Sequence, residues 1–258
     1  MQSPVLFVEI NKYDYIFIAG EINENGNFRL VENNIIPIEG INNNKITNLE
    51  QVSQIIRENI YSIEQKLNFI FKEVILIINN FDCLLINFSG FKNLNGSQLE
   101  KDNVTYLLNS LKSKISEVED QKTILHILNS NYLLDKNKID NLPIGLFGNL
   151  YSQELTFFLI KNNDFKNLKN IFNKCNLRIK KIISKHFLEG IRLIDGNTNL
   201  ESFFAIELSK KNSELIFFEN SALKFVQNFN FGTSIIVNDI VKILSIKKDT
   251  IEKFLFKN

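Results

Sequence analysis

Residues 4–20 have the sequence PVLFVEINKYDYIFIAG, in which two short apolar runs flank a polar turn at Asn11–Asp14. Both runs are rich in β-branched and aromatic residues, and few polar residues separate them. This pattern is typical of two antiparallel strands joined by a tight hairpin. Turn residues around Gly26 predict a second hairpin, with a third strand near Phe28–Asn34. The chain is therefore expected to open with three antiparallel strands.

The hydrophobic period then changes to that of a helix. Apolar side chains recur at helical spacing within residues 49–71, at Leu49, Val52, Ile55, Ile56, Ile60, Ile63, Leu67 and Ile70. This spacing predicts an amphipathic helix, and Thr47 with Glu50 predicts a capping box at its start. The next apolar run, VILII at 74–78, suits a strand buried on both faces of a parallel sheet. The order β-β-β-α-β predicts an α/β domain.

Residues 84–160 have a mixed pattern that differs from the preceding segment. Strands are predicted at 84–88, 123–129, 131–134 and 154–160, and a helix at 102–117. We interpret this stretch as a small α+β domain that is inserted between two parts of a larger domain.

A second series of hairpins follows the inserted segment. Helices are predicted at 164–175 and 182–194 around a short strand near 178–183, then strands at 203–208, 214–218 and 222–229, and a helix from about Ser234. The later strands repeat the opening pattern of the chain. A repeat of a whole strand-and-hairpin unit indicates a fold with two lobes.

The composition narrows the class of protein. The 258 residues are 44% hydrophobic and 23% charged, as in ordinary soluble globular proteins. A net charge of +1 gives no electrostatic support to nucleic-acid binding. Two distant cysteines and two histidines do not form a zinc motif or a disulfide framework, so a reduced cytoplasmic setting is the default. We expect no signal peptide at MQSPVLFVEI and no membrane-spanning run.

Two hairpins have the same arrangement of polar residues. Glu9 lies near the end of an apolar strand and precedes the turn Asn11-Lys12-Tyr13. Glu207 has the same place before Ser209 and the residues that follow it. Taken alone, this repeat is more typical of two ordinary hairpins with polar turns than of a duplicated binding motif.

Four further segments carry a resemblance to a known family. They are the segment 39–50 before the first long helix, ILHI with YLLD within 124–135, PIGLFGNL at 143–150, and Asn238-Asp239-Ile240. In their order and separations they resemble the FtsA family of bacterial cell division proteins. The turn at 143–150 resembles FtsA more than it resembles actin-like proteins of pilus assembly.

The resemblance implies an α/β fold of the actin-like, ribonuclease H-like type. The first lobe would be split between 1–82 and 161–202, with a mixed α+β domain inserted at 83–160. Residues 203–258 would start a second, incomplete lobe.

The resemblance also implies a role at the cytoplasmic face of the membrane, at the division site. FtsA proteins link FtsZ filaments to the membrane and recruit later division proteins, and their inserted domain contacts other copies and downstream partners. Beyond Asn238-Asp239-Ile240 the family continues with an FtsZ-contacting subdomain, an adenosine-binding segment and an amphipathic membrane helix, which are not found in this sequence. Membrane contact is therefore expected through that missing region, and self-association through the residues present.

The departures from the family fall on the nucleotide site. Where actin-like ATPases have an Asp, which holds Mg²⁺ through water, followed by glycines and small hydroxyl residues, this chain has Glu9, Asn11, Lys12, Tyr13, Glu207, Ser209, Lys210, Lys211 and Asn212. Longer side chains, Tyr13 above all, are expected to fill the space that a phosphate needs. We therefore expect a degenerate site with no bound cofactor, no catalytic residue and no metal ligand, although an intact family site would hold ATP and Mg²⁺.

Two other functions are consistent with the sequence. A working ATPase could use Lys12, Lys210 and Lys211 in place of the backbone donors of the glycine turns, with Glu near Mg²⁺ instead of Asp. An actin-like scaffold of pilus assembly would share the fold and an inserted domain.

Overall fold

The computed structural model describes residues 3–24, 26–79, 81–197 and 199–256. The chain divides into two compact units, Met1–Glu189 and Gly190–Asn258, and each is described by itself. The first unit contains, in chain order, β1 (Val5–Ile10), β2 (Asp14–Ile22), β3 (Phe28–Pro37), β4 (Ile41–Asn42), β5 (Lys45–Ile46), α1 (Leu49–Leu67), β6 (Glu73–Ile78), β7 (Cys83–Asn93), α2 (Lys101–Val118), β8 (Lys122–Leu134), β9 (Asn137–Ile139), β10 (Leu150–Lys161), α3 (Asn162–Lys174), β11 (Arg178–Ser184) and the start of α4 (Lys185–Asp195).

The central sheet of the first unit has five strands in the order β11-β6-β1-β2-β3. The first three strands in sequence pair antiparallel, whereas β1, β6 and β11 run parallel to one another. Helix α1 buries Val52, Ile56, Ile60 and Ile63 in the core of this sheet, because these residues recur at helical spacing. The predicted β-β-β-α-β order is confirmed.

The two ends of α1 differ from the prediction. The N-cap is Asn48, whose side chain accepts a hydrogen bond from the Gln51 N–H at 3.1 Å, so the predicted cap at Thr47 is wrong. The helix ends at Leu67 rather than at residue 71, because Asn68 adopts a left-handed conformation with φ of 48°.

A second sheet of the first unit has four strands in the order β7-β10-β8-β9. It packs with α2 around a separate core that includes Leu107, Tyr151 and Phe157. Strand β8 is one continuous strand rather than the two that were predicted, and a register shift between Glu154 and Leu155 of β10 accommodates its extra residue. The predicted domain boundaries at residues 82, 160 and 202 remain a prediction.

The second unit contains, after the end of α4, β12 (Phe203–Leu208), β13 (Ser213–Glu219), β14 (Ala222–Phe229), α5 (Thr233–Leu244) and α6 (Lys248–Phe256). The three strands form an antiparallel sheet in the order β12-β13-β14, which confirms the second hairpin series. Gly190 lies against the ring of Phe218, and an added Cβ would stand 1.9 Å from a ring carbon. Glycine at this position therefore lets the helix approach the sheet.

Candidate nucleotide site

The parallel strands of the first unit bring three polar residues to one edge of the sheet. Strands β1, β6 and β11 end in register at Ile10, Ile78 and Ser184. The residues that follow them are Asn11, Asn79 and Lys185. In α/β sheets, ligands bind beside the carboxyl ends of the strands. This edge, with the turn after β1, is the candidate site of the first unit.

The turn after β1 is closed by the side chain of Asn11. The Asn11 N–H donates to the Asp14 carbonyl at 3.1 Å, which completes a two-residue hairpin. The Asn11 Oδ1 accepts from the backbone N–H groups of Tyr13 and Asp14, both at 2.8 Å. An Asn side chain often bonds to the backbone two or three residues later in this way. The N–H groups of Tyr13 and Asp14 are therefore already paired within the turn.

Tyr13 is the residue of the first turn whose size predicts an obstruction. Its side chain is 60% exposed, and the Lys12 Nζ lies 5.7 Å from the centroid of its ring. That separation permits a cation–π interaction. The obstruction expected from Tyr13 stays a prediction, whereas the amide of Asn11 is observed at the backbone donors.

The carboxylate of Glu9 is held by two donors. The Asn11 Nδ2 donates to Glu9 Oε1 at 3.2 Å, and the Lys185 Nζ lies 3.1 Å from the same oxygen. The side chains of Glu9 and Lys185 are 14% and 29% exposed, so the ion pair is partly shielded from water. Lys185 also lies 3.9 Å from Glu189 on the same helix. Sequence reasoning missed Lys185, although a lysine directly after a parallel strand is a usable signal.

The turn of the second unit is closed by backbone groups. The Ser209 N–H donates to the Asn212 carbonyl at 2.9 Å, so Lys210 and Lys211 form the loop. The carbonyls of Ser209 and Lys210 then accept from Thr233 and Ser234, the first residues of α5, at 3.1 and 3.0 Å. A free helix N-terminus is a ready site for anions. Here two of its N–H groups are used within the protein.

Gly232 allows this contact between the turn and the helix. A Cβ at residue 232 would lie 2.2 Å from the Ser209 oxygen and 2.7 Å from the carbonyl carbon of Lys210. The Lys210 Nζ lies 3.0 Å from Glu252 on α6. Glu207 stands opposite Glu214 in the sheet, so its carboxylate faces one of like charge across the strands.

The residues of each turn can be tested against the phosphate and Mg²⁺ that the fold family implies. They fit a phosphate poorly, because Asn11 accepts two N–H bonds of the first turn and α5 donates two of its N–H groups to carbonyls of the second turn. They do not fit Mg²⁺ at Glu9, where an ammonium group is in place. Within the described ranges, no group of three or more His, Cys, Asp or Glu could hold a metal ion.

One side chain at the edge formed by the ends of β1, β6 and β11 has an oxygen that could still accept a hydrogen bond. The Asn79 Oδ1 is buried and has no hydrogen-bond partner among the described residues. The backbone N–H of Asn79 donates to the Ile10 carbonyl at 3.1 Å, which fixes the residue beside the first turn. Buried acceptors are nearly always paired in native proteins, with water where no protein group is available. This edge of the sheet thus retains one unused oxygen.

The sequence is similar to curated cell division proteins along most of its length. Cell division protein FtsA of Buchnera aphidicola subsp. Schizaphis graminum is 21% identical over 253 residues, which are 98% of this chain and 60% of that protein. Cell division protein FtsA of Escherichia coli K12 is 17% identical over 236 residues, or 92% and 56% of the two chains. The chain spans 48% to 60% of the length of the curated relatives it matches. No protein-family model matches it.

A solved structure has the same fold. The PilM-PilN type IV pilus biogenesis complex contains a chain that matches 98% of this protein with a TM-score of 0.62, at 9% identity and over 69% of its own length. None of the helices in the described part of the chain is long and apolar enough to cross a membrane. At 9% identity the structural match bears on the fold alone, whereas the sequence matches extend over almost the whole chain. Together they identify the chain as a divergent FtsA-like protein with an actin-like fold.

Proposed function

We propose that the chain is a cell division scaffold that works through protein–protein contacts at the cytoplasmic face of the membrane. In this proposal it takes part in linking FtsZ filaments to the membrane and in recruiting later division proteins. The observation that carries the proposal is the similarity to cell division protein FtsA over 98% of the chain. Because the chain covers 60% of that relative, the partners of the whole relative are part of the proposal.

The scaffold is proposed to work without bound nucleotide and without catalysis. The two bonds from backbone N–H groups to Asn11 Oδ1 support this part of the proposal, since a phosphate would have to displace them. The bonds from Thr233 and Ser234 to the second turn support it in the same way. A carboxylate paired with an ammonium group has little remaining attraction for a divalent cation.

The four-stranded sheet is proposed to supply the protein contacts. Phe91 and Phe147 in this part of the chain are each 68% exposed, and Leu146 is 49% exposed. Aromatic residues are enriched at protein interfaces because each removes a large apolar area from water. These side chains would serve both self-association and binding of downstream division proteins.

Binding assays test the scaffold directly. Sedimentation velocity of the purified chain measures self-association, and pull-down with FtsZ and with other division proteins measures partner binding. Replacement of Phe91 and Phe147 by Ser is expected to weaken at least one of these associations tenfold or more, as loss of interface aromatics does. Tyr61→Ser, at a 62% exposed aromatic of α1, is the matched control and should leave binding unchanged. Absence of every association in the wild-type chain would contradict the scaffold.

Nucleotide independence has its own measurement. A ligand that binds the native state raises the unfolding temperature, and the stabilisation grows with the logarithm of the ligand concentration above Kd. We expect no increase in the presence of millimolar ATP and Mg²⁺. A clear, concentration-dependent increase would instead favour an ATPase with altered phosphate turns.

A pilus-assembly scaffold is the second candidate function. The fold that the chain shares with a chain of the PilM-PilN complex is consistent with it. The genes on either side of the reading frame separate the two functions. An adjoining reading frame for an FtsZ-like protein would support cell division, whereas a cluster of pilus genes would contradict it.

A further inference from the structure

The ion pair between Lys185 and Glu9 joins two ends of the central sheet. Glu9 is the penultimate residue of β1, and Lys185 directly follows the last residue of β11. Strand β6 lies between these two strands, so the pair spans three neighbouring strand ends. The Nζ–Oε1 distance of 3.1 Å places the ammonium group at the carboxylate of the first turn.

We propose that Lys185 is a built-in counter-ion, which occupies the place of a bound cation and holds this edge of the sheet together without any ligand. The inference rests on the proposal that the scaffold works without nucleotide, and it assigns that property to a particular side chain. It predicts that removal of the lysine converts a metal-insensitive protein into one that Mg²⁺ stabilises.

The position of Lys185 on its helix indicates that the lysine is stabilised by the carboxylate of Glu9. Lys185 is the first residue of α4, where the positive end of the helix dipole disfavours a cation. The nearby carboxylates of Glu9 and Glu189, at 3.1 and 3.9 Å, offset this repulsion. The lysine is therefore stabilised by Glu9 at the sheet edge and by Glu189, and not by the dipole of the helix.

Two donors already bind one oxygen of the Glu9 carboxylate, Oε1, and leave no room for a metal ion there. Both the Asn11 Nδ2 and the Lys185 Nζ bind Glu9 Oε1. A divalent cation at this oxygen would stand within a few ångström of the ammonium group, and like charges at about 4 Å repel strongly in a partly buried site. Removal of the ammonium group would leave Glu9 and the unpaired Asn79 Oδ1 at the same edge. Carboxylate and amide oxygens are ligands that Mg²⁺ accepts.

The main experiment compares Lys185→Met with Lys174→Met in EDTA and in millimolar MgCl2. Lys174 forms the matched control, because its Nζ pairs with the exposed carboxylate of Glu50 at 2.5 Å. We expect Lys185→Met to lower the unfolding temperature by about 5 °C, since it leaves a partly buried carboxylate without its counter-ion. The control should lose about 1 °C. MgCl2 should restore much of the loss in Lys185→Met and should change neither the wild type nor the control.

Two further variants keep the experiment decisive. The double variant Glu9→Gln with Lys185→Met lacks the carboxylate, so its response to MgCl2 should vanish. If Lys185→Met does not fold, Glu9→Gln alone tests the pair from the other side and should also unfold several degrees below the wild type. Lys185→Arg, which keeps the charge, should remain insensitive to MgCl2.

Three results would overturn the counter-ion role. They are an equal gain from MgCl2 in the wild type, a loss in Lys185→Met no larger than in the control, or a wild-type unfolding temperature in Glu9→Gln. These readings need no partner protein. A failure of partner binding would therefore refute the scaffold while leaving this inference standing, and the reverse also holds.

Discussion

The two hairpin turns of the candidate site have similar sequences but are closed by different means. In the first, one side chain, Asn11, accepts the backbone donors at 2.8 Å. In the second, the backbone carbonyls of Ser209 and Lys210 accept from the start of α5. The first closure depends on one amide group, whereas the second depends on the close approach of two backbone segments. A turn can thus be closed by one local side chain or by the packing of a neighbouring helix.

The difference predicts that the second turn is the more sensitive to a single added carbon. Gly232→Ala would place a Cβ 2.2 Å from the Ser209 oxygen, where both neighbours are backbone. Because a backbone cannot move as a side chain can, we expect a loss of about 3 kcal/mol or more in the free energy of unfolding, from overpacking. Chemical denaturation followed by circular dichroism measures it.

Gly196→Ala is the control for this substitution within the same unit. The Cβ would lie 3.5 Å from the Arg192 oxygen, which is ordinary van der Waals contact. Its effect should stay within about 1 kcal/mol. Equal losses in the two variants would mean that the contact between the turn and α5 does not limit stability.

The first turn should tolerate a substitution better. Asn11→Ala removes two accepted hydrogen bonds and the bond to Glu9. The turn is partly exposed, so water can replace some of these contacts, and we expect a loss of about 1–2 kcal/mol in the free energy of unfolding. Asn23→Ala, in the next turn of the same sheet, removes an exposed bond from the Asn27 N–H and should cost less. A larger loss at Asn23 would contradict the role given to Asn11.

Much of the fold could be predicted from hydrophobic period and turn residues. The strands predicted at 203–208 and 222–229 have those bounds in the structure. One prediction was wrong where two neighbouring polar residues could both cap a helix, as Asn48 and Thr47 could at the start of α1. Propensity cannot choose between two residues that can both cap a helix.

The positions of the turns could be predicted, but the way in which they are closed could not. Lys185 and Glu9 are far apart in sequence. They meet because β1 and β11 are parallel strands with only β6 between them, so their ends lie at the same edge of the sheet. Gly232 approaches Ser209 because the helix returns to the turn. Such contacts depend on topology and on side-chain rotamers, which a pattern of residue types does not contain.

A smaller effect is expected where the second unit fixes the segment before α5. The Ser213 hydroxyl is buried and donates to the Phe231 carbonyl at 2.7 Å. Ser213→Ala leaves this acceptor with one bond fewer, and we expect a loss of about 1 kcal/mol in the free energy of unfolding. Ser202→Ala, which removes an exposed acceptor of the Asn220 N–H, should lose less. If both variants match the wild type, the second turn is fixed by Gly232 and α5 without help from Ser213.

The smallest effect is a pH dependence that belongs to the first unit. His126 is half-buried, stacks on Phe158 with ring centroids 6.0 Å apart, and hydrogen-bonds through Nε2 with the Ile182 carbonyl. Burial lowers the pKa of His126 below its ordinary value, and the charge of Lys181 acts in the same direction. The unfolded chain therefore binds the proton first, so stability is complete above about pH 6.5 and falls as the pH drops below it.

A variant that cannot titrate isolates this contribution. The free energy of unfolding of His126→Gln should fall less steeply than that of the wild type between about pH 7.5 and pH 5.5, the range around the ordinary histidine pKa. Since burial is the leading cause of the lowered pKa, the difference should persist in high salt, which screens Lys181. If the free energies of unfolding of the wild type and His126→Gln change equally with pH, a group other than His126 causes the pH dependence. A difference that disappears in salt would make Lys181 the main cause.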